Sequence, residues 1–285
     1  MIPIRIIRRR IRSIKSTAKI TKAMEMIAAS KMRQAQLRVL AARPYSEKMR
    51  EVLANLAAQP TTDGDSHPLL KHREVKRITV IHITADRGLC GGLNANINRR
   101  TASFILEQST PVNLVTVGRK GRDFMSRYGR DIRAEFTQLG DKPSLVDTTP
   151  IARVVIDDYT NKLTDEIYLA YTQFITTVIQ RPVLWKLLPI EPAKLERAEN
   201  VDYIYEPSPS AVLGELLPRY IEMQVYHAIL ESIASEQSVR MVAMRNATDN
   251  ANEMIEDLTL IYNKARQELI TKELLDIAGG IVTLT

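Results

Sequence analysis

The residues best placed to do chemistry are Thr84-Ala85-Asp86-Arg87-Gly88-Leu89-Cys90-Gly91-Gly92-Leu93-Asn94. They follow a strand-like run and open a helical one, the position where phosphate loops aim backbone N–H groups at an anion. The run lacks the Gly-Lys-Ser/Thr ending of a nucleoside-triphosphate loop and the Gly-x-Gly-x-x-Gly spacing of a dinucleotide loop. Its glycines, Gly88, Gly91 and Gly92, read instead as a tight structural turn that needs positive φ. Cys90 is the only cysteine. A cysteine nucleophile needs a base beside it, and no neighbouring signature supplies one, so the expectation is a small, partly buried thiol. A single cysteine excludes an internal disulfide and a cysteine-rich metal centre, and it fits a reducing compartment.

The four histidines, His67, His72, His82 and His227, show no paired metal-ligand spacing, so no metal site is expected. Asp86, Asp157, Asp158 and Glu166 offer carboxylates, but no pattern sets two of them over a substrate, and surface positions are the default. The sequence therefore predicts no catalytic residue, no metal and no cofactor.

Charge is distributed unevenly. The first fifty residues hold fourteen Lys and Arg against only Glu25 and Glu47, a local charge of +12 in a chain whose total is +7. The remainder is net acidic, so the positive charge belongs to one element. An acidic protein partner, nucleic acid, a membrane surface or plain solvation answers such a face. No aromatic residue precedes Tyr45, which removes base stacking, and no helix-turn-helix or finger signature appears. A basic coiled-coil nucleic-acid binder remains the alternative reading at this point.

These residues must be carried by elements, and the chain divides into three. Between Ile4 and Arg43 there is no Gly or Pro, and Ile4, Ile7, Ile11, Ile14 and Ala18 recur at coiled-coil spacing. The stripe continues through Met24, Ala28, Met32 and Val39, with Pro44 expected to kink the helix before it resumes. From Arg219 to Ala278 there is again no Gly or Pro, and small and apolar residues recur from Val225 to Leu269. Neither helix is apolar enough to stand alone over such a length. Each must bury its stripe on the other, and because they are the two chain ends the pair runs antiparallel. The methionines at helical spacing fit core packing or a surface that meets several environments in turn.

The middle reads as strands over 77–84, 112–117, 132–136, 167–174 and 183–189. Helices are expected over 94–107, after Gly118 and Gly121, and after a cap at Thr148 or Thr149. That alternation predicts a mostly parallel, Rossmann-like sheet. The fold expected is thus α+β or α/β: a long antiparallel coiled coil of terminal helices, 1–60 and 208–285, around a central α/β domain, 75–190. Composition agrees, with 45% apolar, 26% charged and only 5% aromatic residues. No apolar run is long enough to span a bilayer. The Arg-rich N-terminus reads as structure rather than as a leader.

Long blocks carry a resemblance. Residues 20–33 (ITKAMEMIAASKMR), 235–250 (SEQSVRMVAMRNATDN) and 262–274 (YNKARQELITKEL), with 86–94 (DRGLCGGLN), resemble the signatures of the γ subunits of rotary ATP synthases. The resemblance covers nearly the whole chain in order. It implies a non-catalytic shaft inside a ring of α and β subunits, and a foot that meets the ε subunit and the membrane ring of c subunits. It implies that Lys19, Lys22 and Met24 face acidic loops of the β subunits. It assigns Arg240, Gln267 and Thr271 to β-subunit contact and energy coupling, and Tyr203 and Glu206 to the side facing the rotor ring and ε. The nearly uncharged tail, residues 278–285, would turn in an apolar sleeve. With one cysteine, the chain lacks the dithiol switch of chloroplast relatives, which points to a bacterial protein held peripherally at the cytoplasmic face of the cell membrane.

Overall fold

The computed structural model describes residues 3–58, 67–190, 206 and 208–282. The chain forms two compact units, Met1–Ala28 with Arg240–Thr285, and Ala29–Val239. Two long helices run through both: α1 over Ile4–Ala58 and α5 over Pro209–Val282.

Each helix carries a proline within it. The helix expected to resume after Pro44 runs on from it without a break in α1. Proline removes the N–H that would bond the carbonyl of Leu40. The helix continues because Met49, Leu53 and Leu56 beyond it are buried in the core. Likewise α5 starts at Pro209, ahead of the run without Gly or Pro that opens at Arg219, and carries Pro218 within it. Pro209 occupies the first helical position, where a missing N–H costs nothing. Leu213, Leu217, Tyr220 and Ile221 hold the early turns by burial.

The second unit contains one five-stranded sheet in the order β3-β2-β1-β4-β5. The strands are β1 (Ile78–Ile83), β2 (Val112–Val117), β3 (Ile132–Phe136), β4 (Glu166–Phe174) and β5 (Gln180–Leu188). The first four run parallel, and β5 returns antiparallel beside β4. Every residue of β1 is buried, the signature of a central parallel strand covered on both faces. On one face Ile78 and Val80 pack with Ile97, Phe104, Leu114 and Met125, which brings in α2 (Leu93–Glu107) and α3 (Arg119–Arg127). On the other face Ile81, Ile83, Val115 and Val117 join Ile151 and Val155 of α4 (Leu145–Thr160) and residues of both long helices. The strand pattern thus builds a three-layer α/β body of the expected Rossmann-like kind.

One boundary is corrected. The cap of α4 is Ser144, not Thr148 or Thr149. Ser144 and Asp147 form a reciprocal capping box, with the Ser144 N–H donating to Asp147 Oδ2 at 2.8 Å and the Asp147 N–H to Ser144 Oγ at 3.4 Å. Both threonine hydroxyls instead donate back to the carbonyl of Leu145.

Within β1, His82 is fully buried, with Nε2 2.8 Å from Asn98 Oδ1 and Nδ1 3.0 Å from the Thr101 hydroxyl. Asn98 Oδ1 is only an acceptor, so Nε2 carries the proton and Nδ1 accepts from Thr101. Burial without a charged partner lowers the imidazole pKa from 6.5 to about 4. Between those values the unfolded chain binds a proton that the folded chain refuses. The stabilising contribution is complete above about pH 7 and falls as the pH drops through 6.5 toward 4. Urea unfolding at pH 7 and pH 5 should show a loss of about 2 kcal/mol attributable to this group. That increment should vanish in His82→Gln; equal pH slopes for the two proteins would refute it.

Candidate functional site

The loop after β1 is where the sequence placed its sharpest chemistry, and the structure shows what occupies it. The first N–H groups of α3 point toward the carboxyl ends of the strands, as in an anion site. Each already has an internal acceptor. The Arg119 N–H donates to Asp86 Oδ1 at 3.0 Å, that of Lys120 to the Ala85 carbonyl at 3.1 Å, and that of Gly121 to Thr84 Oγ1 at 2.8 Å. Asp86 Oδ2 accepts from the Gln138 N–H at 2.9 Å, and the Arg119 guanidinium lies 3.8 Å from the same carboxylate. Asp86 therefore stands where a bound phosphate would. The adjoining cleft, about 330 Å³, is lined by Asp86, Asp141 and Glu236 alongside Arg87 and Arg119, so its charge is largely balanced.

Glycine has two demanding roles here. Gly118 precedes α3 at φ +92, and a Cβ there would lie 2.1 Å from the Thr84 carbonyl oxygen. Gly91 adopts φ +53, with Val239 Cγ1 3.1 Å from the place of a Cβ. The exposed Leu89 takes the other left-handed position of the turn at φ 62. Gly92 caps α2 at φ −84, and the space around Gly88 is open. Cys90 is buried, and its sulfur accepts from Asn94 Nδ2 at 3.2 Å. Asp158 and Glu166 are engaged by Arg133 and Lys186. Among the described residues, no three His, Cys, Asp or Glu side chains are grouped as a metal site would require.

The residues assigned to partner contact, Tyr203 and Glu206 apart, lie on the two-helix unit. Its helices are tied by side chains at two levels. Thr21 Oγ1 is 2.7 Å from Thr248 Oγ1, and Glu25 Oε1 accepts from Arg245 Nε at 3.0 Å. As numbers rise on one helix they fall on the other, so the pair is antiparallel. Each hydroxyl also reaches a carbonyl of its own helix, Thr248 that of Met244 at 2.8 Å and Thr21 that of Ala18 at 3.1 Å, and either can be the donor in the pair. Ile7, Ala18, Thr21, Glu25 and Ala28 of α1 and Arg240, Met244, Thr248 and Ala251 of α5 are buried in this unit.

Glu25 Oε2 accepts from Lys22 Nζ at 3.0 Å. The hydrogen bonds from Lys22 and then from Arg245 hold this carboxyl below the ordinary carboxylate range despite its burial. This ion triad was not anticipated from sequence. Its signal was present in one of only two acidic residues among the first fifty, set three positions after a lysine.

Lys19 is exposed, Lys22 leans on Glu25, and Met24 is half-buried. Arg240 is buried at 8% exposure, whereas Gln267 and Thr271 are exposed one helical turn apart. The structure does not gather these residues into one site. Extending the register of the pair sets Ile4 level with Ala265, so Gln267 and Thr271 lie beyond the start of α1. They stand roughly 30–40 Å along α5 from the level of Lys22 and Met24. Every described side chain from Arg266 to Leu275 is exposed, including Leu269, Ile270, Leu274 and Leu275. Of the two residues expected to face the rotor ring, Tyr203 lies outside the described residues and Glu206 is exposed.

A lowered carboxyl pKa adds stability above pH 4.5 that is lost as the pH falls through the folded value. In Arg245→Met, an NMR titration of the Glu25 carboxyl should show its midpoint moved upward, toward the ordinary range. An unmoved midpoint would refute the role given to Arg245.

Known proteins align with the chain over its full length. Residues 3–284 match the family model described as ATP synthase. The "ATP synthase gamma chain" of Dehalococcoides mccartyi strain 195 is 62% identical over 284 residues, covering 100% of both chains. That of Herpetosiphon aurantiacus is 51% identical, covering 98% of this chain and 97% of its own. Among solved structures, the central stalk and c-ring of the Tetrahymena thermophila mitochondrial ATP synthase contains a chain 28% identical to this one, with a TM-score of 0.62 over 80% of this chain and 99% of that one. A chain of the Euglena gracilis mitochondrial enzyme superposes with a TM-score of 0.68 at 22% identity, covering 99% of this chain and 94% of that one, and so shares the fold. With half or more of its residues identical to these gamma chains across their whole length, the chain belongs to the ATP synthase gamma-chain family.

Proposed function

We propose that the chain is the central-stalk rotor of a proton-translocating ATP synthase, carrying torque between the membrane ring of c subunits and the catalytic β subunits. It supplies no catalytic residue of its own. The observation that carries this reading is the overhang of α5. A lone helix of this length is marginal in water, and this one exposes a succession of leucines and isoleucines. A surface of that kind calls for an enclosing apolar partner. A sleeve formed by alternating α and β subunits satisfies it, and contacts without directional bonds let the tip turn.

The functional division follows 1–60 and 208–285 as shaft and 75–190 as foot. Lys19, Lys22 and Met24 offer a basic, half-apolar face to acidic loops of the β subunits, and Gln267 and Thr271 contact them near the tip. Arg240 acts from within the seam, setting the shape of the shaft. Tyr203 and Glu206 belong to the foot, toward the ε subunit and the c-ring. Among the described residues no helix is long and apolar enough to cross a membrane. We place the subunit peripherally, at the cytoplasmic face of a bacterial membrane. Coupling requires only that the shaft make different contacts with each β subunit, so that it acts as a ligand shared among three states.

Purified chain mixed with α and β subunits should yield a complex containing one copy per α and β hexamer, as read by native mass spectrometry. Absence of that species would overturn the proposal. In the membrane-reconstituted complex, Met24→Lys adds a cation opposite acidic loops. Protons pumped per ATP hydrolysed should then fall, and an unchanged ratio would remove Met24 from the coupling surface.

A further inference from the structure

Residues 235–239 of α5 are engaged from opposite sides by three loops of the α/β unit. Ser235 Oγ donates to the Thr172 carbonyl at 3.1 Å, and Ser238 Oγ donates to the Thr177 carbonyl at 2.8 Å. Both acceptors belong to the hairpin of β4 and β5. Gln180 Nε2 closes that turn onto the Thr176 and Thr177 carbonyls and reaches Ser238 Oγ at 3.5 Å. Gln237 Nε2 donates to Asp141 Oδ1 at 3.2 Å, and the other oxygen of Asp141 accepts from Lys31 Nζ of α1 at 2.6 Å. Val239 packs against Gly91. At about 100° per residue, Ser235, Ser238 and Val239 share one side of α5 and Gln237 takes the opposite side. Ser235, Gln237 and Ser238 are at most 2% exposed.

We propose that these contacts form a collar that locks α5, and α1 through Asp141, against turning about their own axes within the α/β unit. Torque from the foot then enters the shaft at Ser235, Gln237, Ser238 and Asp141. This rests on the rotor reading above. Apolar burial is non-directional and resists rotation of a helix poorly, whereas hydrogen bonds fail when misaligned. A turn of about 20° carries an oxygen lying about 4 Å from the axis through about 1.4 Å, which breaks a bond of ordinary length. The Lys31 pair, about one-third exposed, is weak by itself. It counts because the same carboxylate also holds the buried Gln237.

The test uses the assembled complex with a bead on the α/β unit and the α and β subunits fixed to a surface. In Asp141→Ala/Ser238→Ala, the variance of the bead's angular fluctuations during ATP-waiting pauses should rise at least twofold, at equal yield of complex. The charge-swapped pair Lys31→Asp/Asp141→Lys should restore most of the stiffness lost in Asp141→Lys alone, because Gln237 can turn its carbonyl toward the new lysine. Unchanged variance in the double alanine variant overturns the collar. If the wild-type complex itself does not rotate, the rotor reading fails instead. The collar is then judged by hydrogen exchange on the free chain, where the amides of 232–239 should exchange at least tenfold faster in the double variant, and equal rates overturn it.

Discussion

Two helices too long to stand alone and too polar to be buried on every side set the terms for this molecule. Their only economical arrangement is an antiparallel pair that hides one narrow stripe on each and leaves the rest to other surfaces. The seam is built accordingly. Alanines and threonines are among its buried residues, a hydroxyl pair joins Thr21 to Thr248, and one acidic side chain, Glu25, gathers cations from both helices. A wider apolar stripe would have made a more self-sufficient pair with less left to offer a partner. The exposed Ile20, Met26 and Ile27 on α1, and the apolar overhang of α5, are what that narrow seam leaves outside.

The α/β unit uses the chemistry of a ligand-binding fold and turns it inward. The carboxyl ends of its parallel strands are where such sheets bind anions. Here Asp86 takes the place of the anion, bonded to backbone N–H groups of α3 and of the loop after β3. Thr84 and Gly118 seal the same corner, with no room for a side chain at the glycine. What would be a binding loop in an enzyme becomes a rigid joint. Rigidity at that joint matters to a part whose work is mechanical, because the neighbouring loops hold α5.

Much of this was readable from spacing and composition. The heptad stripe of α1, the run of α5 without glycine or proline after Arg219, and the alternation of five strands with helices all follow from periodicity. The structure returns them with strand ends moved by up to three residues. Local rules also met tertiary packing. Pro44 and Pro218 lie inside their helices, where buried residues beyond each proline outweigh one lost hydrogen bond. Ser144 outcompeted the threonines as a cap through its exchange with Asp147 three residues on.

The candidate site divides in the same way. Sequence by itself determined which residues are long, small, charged or apolar, and therefore that two terminal helices must pair and that the loop after β1 lacks a nucleotide signature. Those properties are local, and spacing carries them. It did not determine that Asp86 fills its own anion position, that Arg245 reaches back to Glu25, or that Asp141 ties Lys31 to Gln237. Those partners lie 33 to 220 positions apart in the chain. Only folding sets the distance between such groups, and charge and hydrogen bonding act over distances of a few ångströms. The tertiary structure therefore decided which of the available groups are spent holding the molecule together and which remain for partners.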